Sequence, residues 1–332
     1  MKNPLVSVII PCYNEQETIA SLLEAIRLQT YPLQRLEVVI ADGRSTDKTL
    51  QKINEFVVEN PQLEVRVIEN PERIIPKALN RAIEAARGEI IIRLDAHSIP
   101  REDYIERCVN ALKRKLGDNV GGMWEIEAGD RTWLARSIAI AAAHPLGVGD
   151  ARYRVGGKAQ HVDTVPFGAY WKDLFNRIGM FNENLLTNED YEFNTRIRLN
   201  GGKIWFDPMI CTKYYARRNL KDLAKQYWRY GFWKVKMLQM YPSTLRWRQL
   251  LPPLFVFSLF AMGFLSFFSS LARVGLVLEV GVYLITLFIF GIVQAIKRKA
   301  LYLLIGFPIS VATMHLAWGT AFLWSYFFDH GK

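Results

Sequence analysis

Two different periods of apolar residues run through the first hundred residues of the chain. Short segments rich in Val and Ile predict strands buried on both faces of a sheet, and segments with apolar residues three or four apart predict helices. The predicted strands are residues 5–10, 36–41, 63–68 and 89–92. The predicted helices are residues 17–28, 50–58 and 76–86. Because the links are short, this order predicts right-handed parallel crossovers and a doubly wound, mostly parallel α/β sheet.

The middle of the chain continues with less regular segments. A strand is predicted at residues 119–126, an Ala-rich helix at 131–143, and a loop rich in Gly and Arg at 147–157. A short helix is predicted to end near residue 179, and the acidic segment 187–193 opens another helix. The mixed pattern of strands and helices therefore extends well beyond the first four strands.

The last third of the chain changes character. Residues 213–248 hold ten Lys and Arg residues and one acid, Asp222, which gives the segment a charge of +9. Long apolar stretches follow at residues 254–271, 274–296 and 301–328. Each stretch is about long enough to cross a bilayer core as a helix rising ~1.5 Å per residue. The sequence therefore predicts about three transmembrane helices after a basic segment.

The basic residues predict how these stretches are oriented. Arg246 and Arg248 precede the first stretch, and residues 297–299 after the second are all basic. Such clusters stay on the cytoplasmic side, so the first two stretches are expected to form a hairpin. The third stretch would then end outside with residues 329–332, although its pattern also fits a tilted or interfacial helix.

The basic segment also indicates a class of partner. Residues 219–240 have helical spacing, with apolar side chains on one side and Lys and Arg interleaved with Trp and Phe on another. Such a helix can bind nucleic acid or lie on anionic lipid. The apolar stretches that follow favour lipid, so we expect membrane lipids and no nucleic acid.

Composition agrees with a membrane-attached protein facing the cytoplasm. The 332 residues carry a net charge of +10, and the basic segment accounts for most of it. The three cysteines lack CxxC spacing and are odd in number, which fits free thiols in a reducing compartment. The apolar run near the N-terminus is too short for a signal peptide, so we expect the N-terminal domain in the cytoplasm.

Polar side chains gather where the predicted parallel strands end. Because those ends form one crevice in an open α/β sheet, the side chains are expected to meet there. Asp95 and His97 stand two residues apart and could share one metal or metal–phosphate complex. The same pattern also fits an ordinary turn after a strand, with Asp95 as a local cap. The polar positions are Tyr13, Glu15, Asp42, Arg73, Lys77, Asp95 and His97.

Two common phosphate-binding motifs are missing from the sequence. No G-x-G-x-x-G follows the first strand, which disfavours a dinucleotide site, and no G-x-x-x-x-G-K-[ST] occurs, which excludes a P-loop. The sequence still allows a different kind of nucleotide site. In it, carboxylates would hold the base and ribose, a cationic side chain would hold the diphosphate, and an Asp would hold a metal ion.

Glu189 and Asp190 begin a predicted helix. A carboxylate there could act as a general base, because the helix dipole keeps it ionised. Acids are also common in the first turn of ordinary helices for the same reason. The pattern alone favours this structural explanation.

Three motifs resemble those of the family 2 glycosyltransferases, which have the GT-A fold. They are V-I-I-P-C-Y-N-E at residues 8–15, D-G-R-S-T-D-K-T at 42–49 and D-A-H at 95–97. The resemblance implies that Asp42 contacts uracil and that Asp95 binds a Mg²⁺ or Mn²⁺ ion on the donor diphosphate. It also implies that Asp190 is the catalytic base, with Glu189 in the same site. The residues expected at the donor are Pro11, Tyr13, Glu15, Asp42, Arg73, Lys77, Asp95 and Arg229.

The chain departs from the family pattern at three places. The usual Asp-Asp pair reads Asp-Gly at residues 42–43, and the usual D-x-D motif ends in His97. His97 is an expected second metal ligand, although imidazole suits Mg²⁺ less well than a carboxylate does. Around Arg229, the Q-x-x-R-W element of processive members has Tyr230 in place of Trp. We therefore expect addition of a single sugar.

The finer resemblance is to bacterial exopolysaccharide enzymes of the succinoglycan-biosynthesis type (ExoA-like), through residues 147–149, 162–165, 188–192 and 229–231. It implies an inverting, metal-dependent transferase that uses a nucleotide sugar, UDP-glucose or similar, and a lipid-linked saccharide acceptor. Other glycan-assembly proteins are candidate partners. The alternative is a non-catalytic, membrane-anchored nucleotide-sugar-binding subunit of a polysaccharide assembly complex.

These expectations divide the chain into three parts. A GT-A catalytic domain is expected over residues 1–212, with the donor half at about 1–100 and the acceptor half at about 101–212. A basic interfacial segment at 213–249 and a transmembrane region at 250–328 follow. We expect a multi-pass protein of the inner membrane with its catalytic domain in the cytoplasm.

Overall fold

The computed structural model describes residues 3–329. The chain separates into two compact units, the first made of Met1–Glu125 and Gly156–Tyr214, the second of Ile126–Val155 and Tyr215–Lys332. Residues 126–155, which the expected catalytic domain includes, thus belong to the second unit. The functional division of the chain stays a prediction, and residues 330–332 of the expected outer end lie outside the described part.

Among the described residues, nine strands form one mixed sheet in the order β3-β2-β1-β4-β8-β6-β9-β5, with β7 paired to β9. The strands are β1 Val6–Cys12, β2 Leu36–Asp42, β3 Glu64–Glu69, β4 Ile90–Arg93, β5 Ile99–Pro100, β6 Asn119–Glu127, β7 Gln160–Val162, β8 Ala169–Trp171 and β9 Ile204–Tyr215. Strands β1 to β4 run parallel, and β8 pairs antiparallel with both β4 and β6. The predicted parallel sheet is confirmed for the first four strands, and antiparallel strands extend it.

Thirteen α-helices occur in the described part of the chain. They are α1 Ile19–Arg27, α2 Thr49–Glu59, α3 Ile75–Ala85, α4 Tyr104–Lys113, α5 Trp133–Ala142, α6 Pro145–Val148, α7 Arg152–Val155, α8 Asp173–Ile178, α9 Glu189–Leu199, α10 Leu220–Met240, α11 Trp247–Leu265, α12 Ser270–Arg298 and α13 Leu303–Phe328. The predicted helices are confirmed within a few residues. The predicted Gly- and Arg-rich loop at 147–157 is wrong in part, because α6 extends into its start and α7 forms within it.

The core of the first unit shows why its first strands are so apolar. Val8 and Ile10 of β1 pack in one cluster with Ile92 of β4 and with buried residues of α1. Ile9 of β1 is also fully buried. Both faces of these strands are therefore covered, as the continuous apolar runs predict.

The second unit contains three helices that are long and apolar enough to cross a membrane: α11, α12 and α13. The first predicted stretch began after Pro253, but α11 already starts at Trp247 and contains both Pro252 and Pro253. Proline is tolerated in such helices because neighbouring helices and side chains compensate for the lost hydrogen bonds. Helix α13 packs against α10, α11 and α12, and also against α5 and α6.

Candidate active site

The site is built around the end of β4, where a charged residue follows three isoleucines. Arg93 is the last residue of β4, and its side chain is only 3% exposed. The next residue, Leu94, is fully buried, and its N–H donates to the carbonyl of Ile9 at 3.1 Å. The carbonyl of Asp95 then accepts from the backbone and hydroxyl of Ser98, at 2.9 and 2.7 Å. Asp95 thus begins a tight turn and keeps its side chain at the strand end.

The Arg93 guanidinium binds three carboxylates from two parts of the chain. Its Nη2 donates to Asp95 at 3.1 Å and to Glu189 at 2.9 Å. Its Nη1 donates to Asp190. A buried arginine must be paired, because an isolated buried charge is costly. Arg93 therefore joins the expected metal ligand to the expected base in one charged cluster.

Asp190 is held from a second direction by the backbone before β8. Its Oδ2 accepts from the Phe167 N–H at 3.2 Å, and its side chain is 21% exposed. Phe167 has φ +63°, and Asn188, which precedes α9, has φ +71°. Positive φ is costly for a bulky residue such as Phe, and such backbone strain clusters at functional sites. The Asp190 carboxylate is thus fixed from two sides, because Arg93 at the end of β4 donates to one of its oxygens and the Phe167 N–H before β8 donates to the other.

The surroundings of Asp190 change its acidity. Burial is the largest cause, and it raises the pKa of Asp190 to about 7. The Arg93 guanidinium lowers the pKa, whereas the Glu189 and Asp95 carboxylates raise it. A general base works best when its pKa lies near the operating pH. Asp190 therefore has the acidity of a group that can accept a proton at neutral pH.

The expected nucleotide side of the site lies at the ends of β1 and β2. Asp42 accepts from the backbone N–H of Ser45 at 2.9 Å and from its hydroxyl at 2.6 Å. The guanidinium of Arg73 lies 4.8 Å from the centre of the Tyr13 ring and its Nε donates to the Gly43 carbonyl at 3.0 Å. A Cβ at Gly43 would lie 3.1 Å from the Tyr13 ring. Glycine at this position thus leaves room for the stacked pair.

A glutamate and a histidine meet between β1 and the turn after β4. The Nδ1 of His97 lies 3.2 Å from Glu15 Oε1, and Glu15 Oε2 accepts from Thr18 at 2.6 Å. In this structure His97 faces Glu15, so two of the expected site residues are in contact. The role of His97 as a metal ligand stays a prediction.

Three other expected donor residues differ in their placement. Pro11 lies within β1, opposite Ala41 of β2. Lys77 lies on α3, where its Nζ is 3.5 Å from Glu72. Arg229 lies on α10, in the second unit. The roles of these three residues at the donor stay predictions.

A divalent cation fits this site if the donor diphosphate supplies part of its ligands. Within residues 3–329, no group of three or more His, Cys, Asp or Glu side chains could hold a metal ion. Mg²⁺ is commonly bound by one or two carboxylates together with substrate phosphates and water. The Asp95 side chain is a quarter exposed and supplies the oxygen that such an ion prefers. The residues therefore fit a metal ion that Asp95 would bind and whose remaining ligands would come from the donor diphosphate and water.

Sequence reasoning missed two residues of the site. Arg93 carried a visible signal, because a charge at the end of a buried Ile-rich strand requires buried partners. Phe167 carried none, since its contribution to Asp190 is a backbone N–H that any residue other than proline has. Both contacts reach across long stretches of sequence, 97 residues from Arg93 to Asp190 and 23 from Phe167.

Similarity to known proteins identifies the family. The profile described as "Glycosyl transferase family 2" matches residues 7–179. This chain belongs to that family. The chain is 30% identical to the succinoglycan biosynthesis protein ExoA of Rhizobium meliloti, over 95% of this chain and 93% of that protein. The predicted family and its finer resemblance are thereby confirmed.

A second relative comes from an archaeon. The chain is 29% identical over 93% of its length, and 93% of the relative's, to the dolichyl N-acetyl-alpha-D-glucosaminyl phosphate 3-beta-D-2,3-diacetamido-2,3-dideoxy-beta-D-glucuronosyltransferase of Methanococcus voltae. The family is a family of sugar transferases, and these relatives build glycans. The chain is therefore a glycosyltransferase of glycan biosynthesis.

Solved structures confirm the GT-A type of fold. The mannosyltransferase PcManGT of Pyrobaculum calidifontis, solved with GDP-Man and Mn²⁺, superposes with a TM-score of 0.65 at 20% identity, over 100% of this chain and 89% of that one. Residues 1–349 of S. aureus TarS, solved with UDP, give 0.51 at 19% identity, over 97% and 91%. At such identities the likeness concerns the fold alone.

Proposed function

We propose that this glycosyltransferase is inverting and metal-dependent and moves a sugar from a nucleotide sugar, UDP-glucose or a similar donor, to a lipid-linked saccharide at the cytoplasmic face of the inner membrane. The observation that carries the proposal is the fixed carboxylate of Asp190. It is oriented by Arg93 and by the Phe167 N–H, and the same guanidinium holds Asp95.

Asp190 would act as the base of the transfer. It takes the proton of the acceptor hydroxyl as that oxygen bonds to C1 of the donor sugar. The bond between C1 and the diphosphate oxygen breaks on the opposite side, and its electron pair leaves with the nucleoside diphosphate. Attack from that side inverts the configuration at C1.

Arg93 would position the reacting groups without touching the substrates. Because it holds Asp190 and Asp95 at once, it fixes the distance between the base and the leaving-group side. Correct placement of catalytic groups supplies a large share of enzymatic rate enhancement. Glu189 shares the same guanidinium and would balance its charge when Asp190 becomes protonated.

Asp95 would hold the metal of the donor complex. A divalent cation bound there would neutralise charge on the leaving diphosphate. Asp42 and the Tyr13–Arg73 pair would hold the nucleotide, as the family resemblance implies. The bound UDP of S. aureus TarS and the bound GDP-Man and Mn²⁺ of PcManGT support a nucleotide-sugar donor with a divalent metal.

The acceptor assignment rests on the relatives and on the second unit. The name of the R. meliloti relative refers to succinoglycan biosynthesis, and that of the M. voltae relative to a dolichyl phosphate, which is a lipid phosphate. The three candidate spans of this chain would keep its site near such a lipid-linked substrate. Together they support an acceptor that resides in the membrane.

Asp190→Asn is the direct test of this proposal. Loss of a general base lowers the rate by about 10²–10⁴-fold, so transfer of labelled sugar from UDP-glucose to a membrane lipid extract should fall by that factor. Binding of UDP, measured by calorimetry, should persist. Asp173→Asn, at an exposed position of α8, is the matched control and should retain full activity. Near-normal turnover of Asp190→Asn would disprove the assignment of the base.

A further inference from the structure

The Phe167 N–H that binds Asp190 belongs to residues 164–168, a strained segment just before β8. Phe167 has φ +63°, and Gly168 after it has φ +106°. Such a backbone is unfavourable for a bulky residue and persists only where its surroundings hold it in place. The contacts that hold residues 164–168 therefore determine where the Phe167 N–H lies.

Two buried side chains provide these contacts. Asn194 of α9 is fully buried, and its Nδ2 donates to the Val165 carbonyl at 3.0 Å and to the Thr164 hydroxyl at 2.9 Å. Tyr170 of β8 is 1% exposed, and its hydroxyl donates to the Phe167 carbonyl at 2.8 Å. The segment is thus held by one side chain from α9 and by another from β8.

We propose that Asn194 and Tyr170 are positioning residues of the sugar transfer, because they place the Phe167 N–H on the Asp190 carboxylate. The inference rests on the proposed function, in which Asp190 is the base. Neither residue needs to touch a substrate, since both act through the backbone of residues 164–168. Buried asparagines and tyrosines also serve as ordinary structural residues, so their effect on the base has to be measured separately from any effect on folding.

Helix α9 binds this segment at two points. Asp190 and Asn194 are four residues apart and therefore lie on the same face of the helix. Asp190 Oδ2 accepts from the Phe167 N–H at 3.2 Å, and Asn194 donates to the carbonyl of Val165, two residues earlier in the segment. Because both bonds join the same helix face to the same short segment, loss of the Asn194 bond would free the segment to move away from Asp190.

The orientation of the Asn194 amide is itself fixed. Asn119, at the start of β6, is fully buried and donates from its Nδ2 to Asn194 Oδ1. An asparagine amide has two donor hydrogens on its nitrogen and an acceptor on its oxygen, so this bond turns the nitrogen towards Val165 and Thr164. Asn194→Asp, when ionised, would present only oxygen atoms to the Val165 carbonyl. The contact with the segment thus depends on an amide at this position.

The same segment contacts Arg93, which is the other donor to Asp190. The Gly168 carbonyl accepts from the backbone N–H of Arg93 at 3.0 Å. The Arg93 guanidinium donates to Asp190 Oδ1, and the Phe167 N–H donates to Oδ2. Displacement of residues 164–168 would therefore disturb both donors that orient the carboxylate.

Two conservative variants of the full-length protein test the proposal. Asn194→Asp keeps the size of the side chain but removes the donor to Val165, and Tyr170→Phe removes a single hydroxyl. In the transfer assay with UDP-glucose and a membrane lipid extract, kcat should fall by about 10- to 100-fold, while the KM for UDP-glucose and the binding of UDP change little. Thr195→Val is the matched control, because Thr195 is buried beside Asn194 but donates within α9, to the Tyr191 carbonyl. Its kcat should match that of the parent protein.

A double-mutant cycle separates positioning from folding. When either variant is combined with Asp190→Asn, it should cause little further loss of kcat, because the base that it positions is already absent. Losses that multiply would overturn the proposal, and so would a normal kcat in both variants once thermal unfolding has verified their fold. Near-normal turnover of Asp190→Asn alone would disprove the proposed base, and this inference with it.

Exchange of the Phe167 amide hydrogen gives a readout that does not depend on activity. Because an amide exchanges faster when its hydrogen bond opens more often, deuterium uptake at Phe167 should be faster in Asn194→Asp and Tyr170→Phe than in the parent protein. In Thr195→Val it should be unchanged. If Asn194→Asp fails to fold, Tyr170→Phe decides alone. Unchanged exchange at Phe167 in every folded variant would overturn the proposal.

Discussion

At the scale of single residues, Arg93 decides how the charges of the site are arranged. One guanidinium faces three carboxylates, so the cluster has more negative than positive charge when all three are ionised. Like charges around one buried site raise the cost of ionising the last carboxyl. Burial, which is the largest cause, and these two neighbouring carboxylates together keep the pKa of Asp190 raised even though Arg93 binds it.

Replacing Arg93 should therefore impair catalysis more than donor binding. Arg93→Lys keeps the charge but cannot form the same fork to several carboxylates, and we expect turnover to fall by about 10²-fold with a smaller change in the KM for the donor. The pKa of Asp190 should rise when Arg93 is replaced by Met, so the pH–rate profile should shift to higher pH. Steady-state kinetics across pH measure both effects.

Arg177→Lys is the control for Arg93→Lys, because Arg177 is exposed and pairs with Asp118 and Asp173 at the surface. Its kinetics should match those of the parent protein. Thermal unfolding of each variant separates a folding defect from a catalytic one. An unchanged pH–rate profile in Arg93→Met, with the fold intact, would show that Arg93 does not act through Asp190.

The titration of Asp190 predicts opposite effects of pH on rate and on stability. The rate should rise as pH increases through about 7, because Asp190 must lose its proton to act as a base. A raised pKa means that the folded protein holds this proton more tightly than the unfolded chain. The contribution of Asp190 to the free energy of unfolding is thus fully present below about pH 4. It is lost as the pH rises through about 7.

Unfolding of the ligand-free protein in denaturant at several pH values measures this second effect. The difference in unfolding free energy between the parent protein and Asp190→Asn should change between about pH 4 and pH 7. Taking the difference removes the contributions of other carboxyls, such as Glu37, whose pKa is lowered. A difference that is constant across this range would contradict a raised pKa at Asp190.

At the scale of secondary-structure elements, close helix packing in the second unit depends on a few glycines. Gly231→Ala would place its Cβ 2.4 Å from the carbonyl oxygen of Trp318, so α10 and α13 must separate. We expect the unfolding temperature in detergent to fall by several degrees, because overpacking lowers the free energy of unfolding by about 1–3 kcal/mol. Gly281→Ala in α12 is the matched control, because a Cβ there meets nothing within 4 Å. An equal response of both variants would mean that this contact does not stabilise the unit.

The elements that the sequence predicted well are those whose apolar pattern is decided locally. Strands β1, β2 and β4 are short runs of Val and Ile between turns, and their burial on both faces required no further information. Strand β9 was not predicted, because Asp207 and Pro208 within Ile204–Tyr215 usually argue against a strand. For α11, the pair of prolines suggested a boundary that tertiary packing overrides.

The candidate site was predictable where the sequence carries a motif. Asp95 and Asp190 each stand in a short pattern of the family, so both were expected at the site before their positions were known, and their roles stay predictions. The cluster around Arg93 was not, because its partners lie 96 and 97 residues away and no local pattern links them. Long-range pairing of charges is a property of the folded chain.

At the scale of the whole molecule, ligand binding should be visible as added stability. A ligand at 100 times its Kd stabilises the folded state by about 2.7 kcal/mol. We therefore expect UDP with Mn²⁺ to raise the unfolding temperature of the detergent-solubilised protein, and removal of the metal by EDTA to reverse most of the increase. In Asp95→Asn the increase should no longer depend on the metal, whereas Asp173→Asn should respond like the parent protein. A metal-dependent increase that survives in Asp95→Asn would place the metal elsewhere.

The unequal arms of the hairpin have a consequence for the thickness of the membrane it fits. Helix α11 has 19 residues and α12 has 29, which correspond to about 28 and 43 Å at ~1.5 Å per residue. A hydrocarbon core of ~30 Å matches the shorter arm, so a vertical α12 exceeds it by roughly 13 Å. Because Ser258 of α11 donates to Glu279 of α12 and holds the arms together, we predict that the surplus would leave the core at the open end, where α11 begins and α12 ends, with Lys297 and Arg298 at the headgroups.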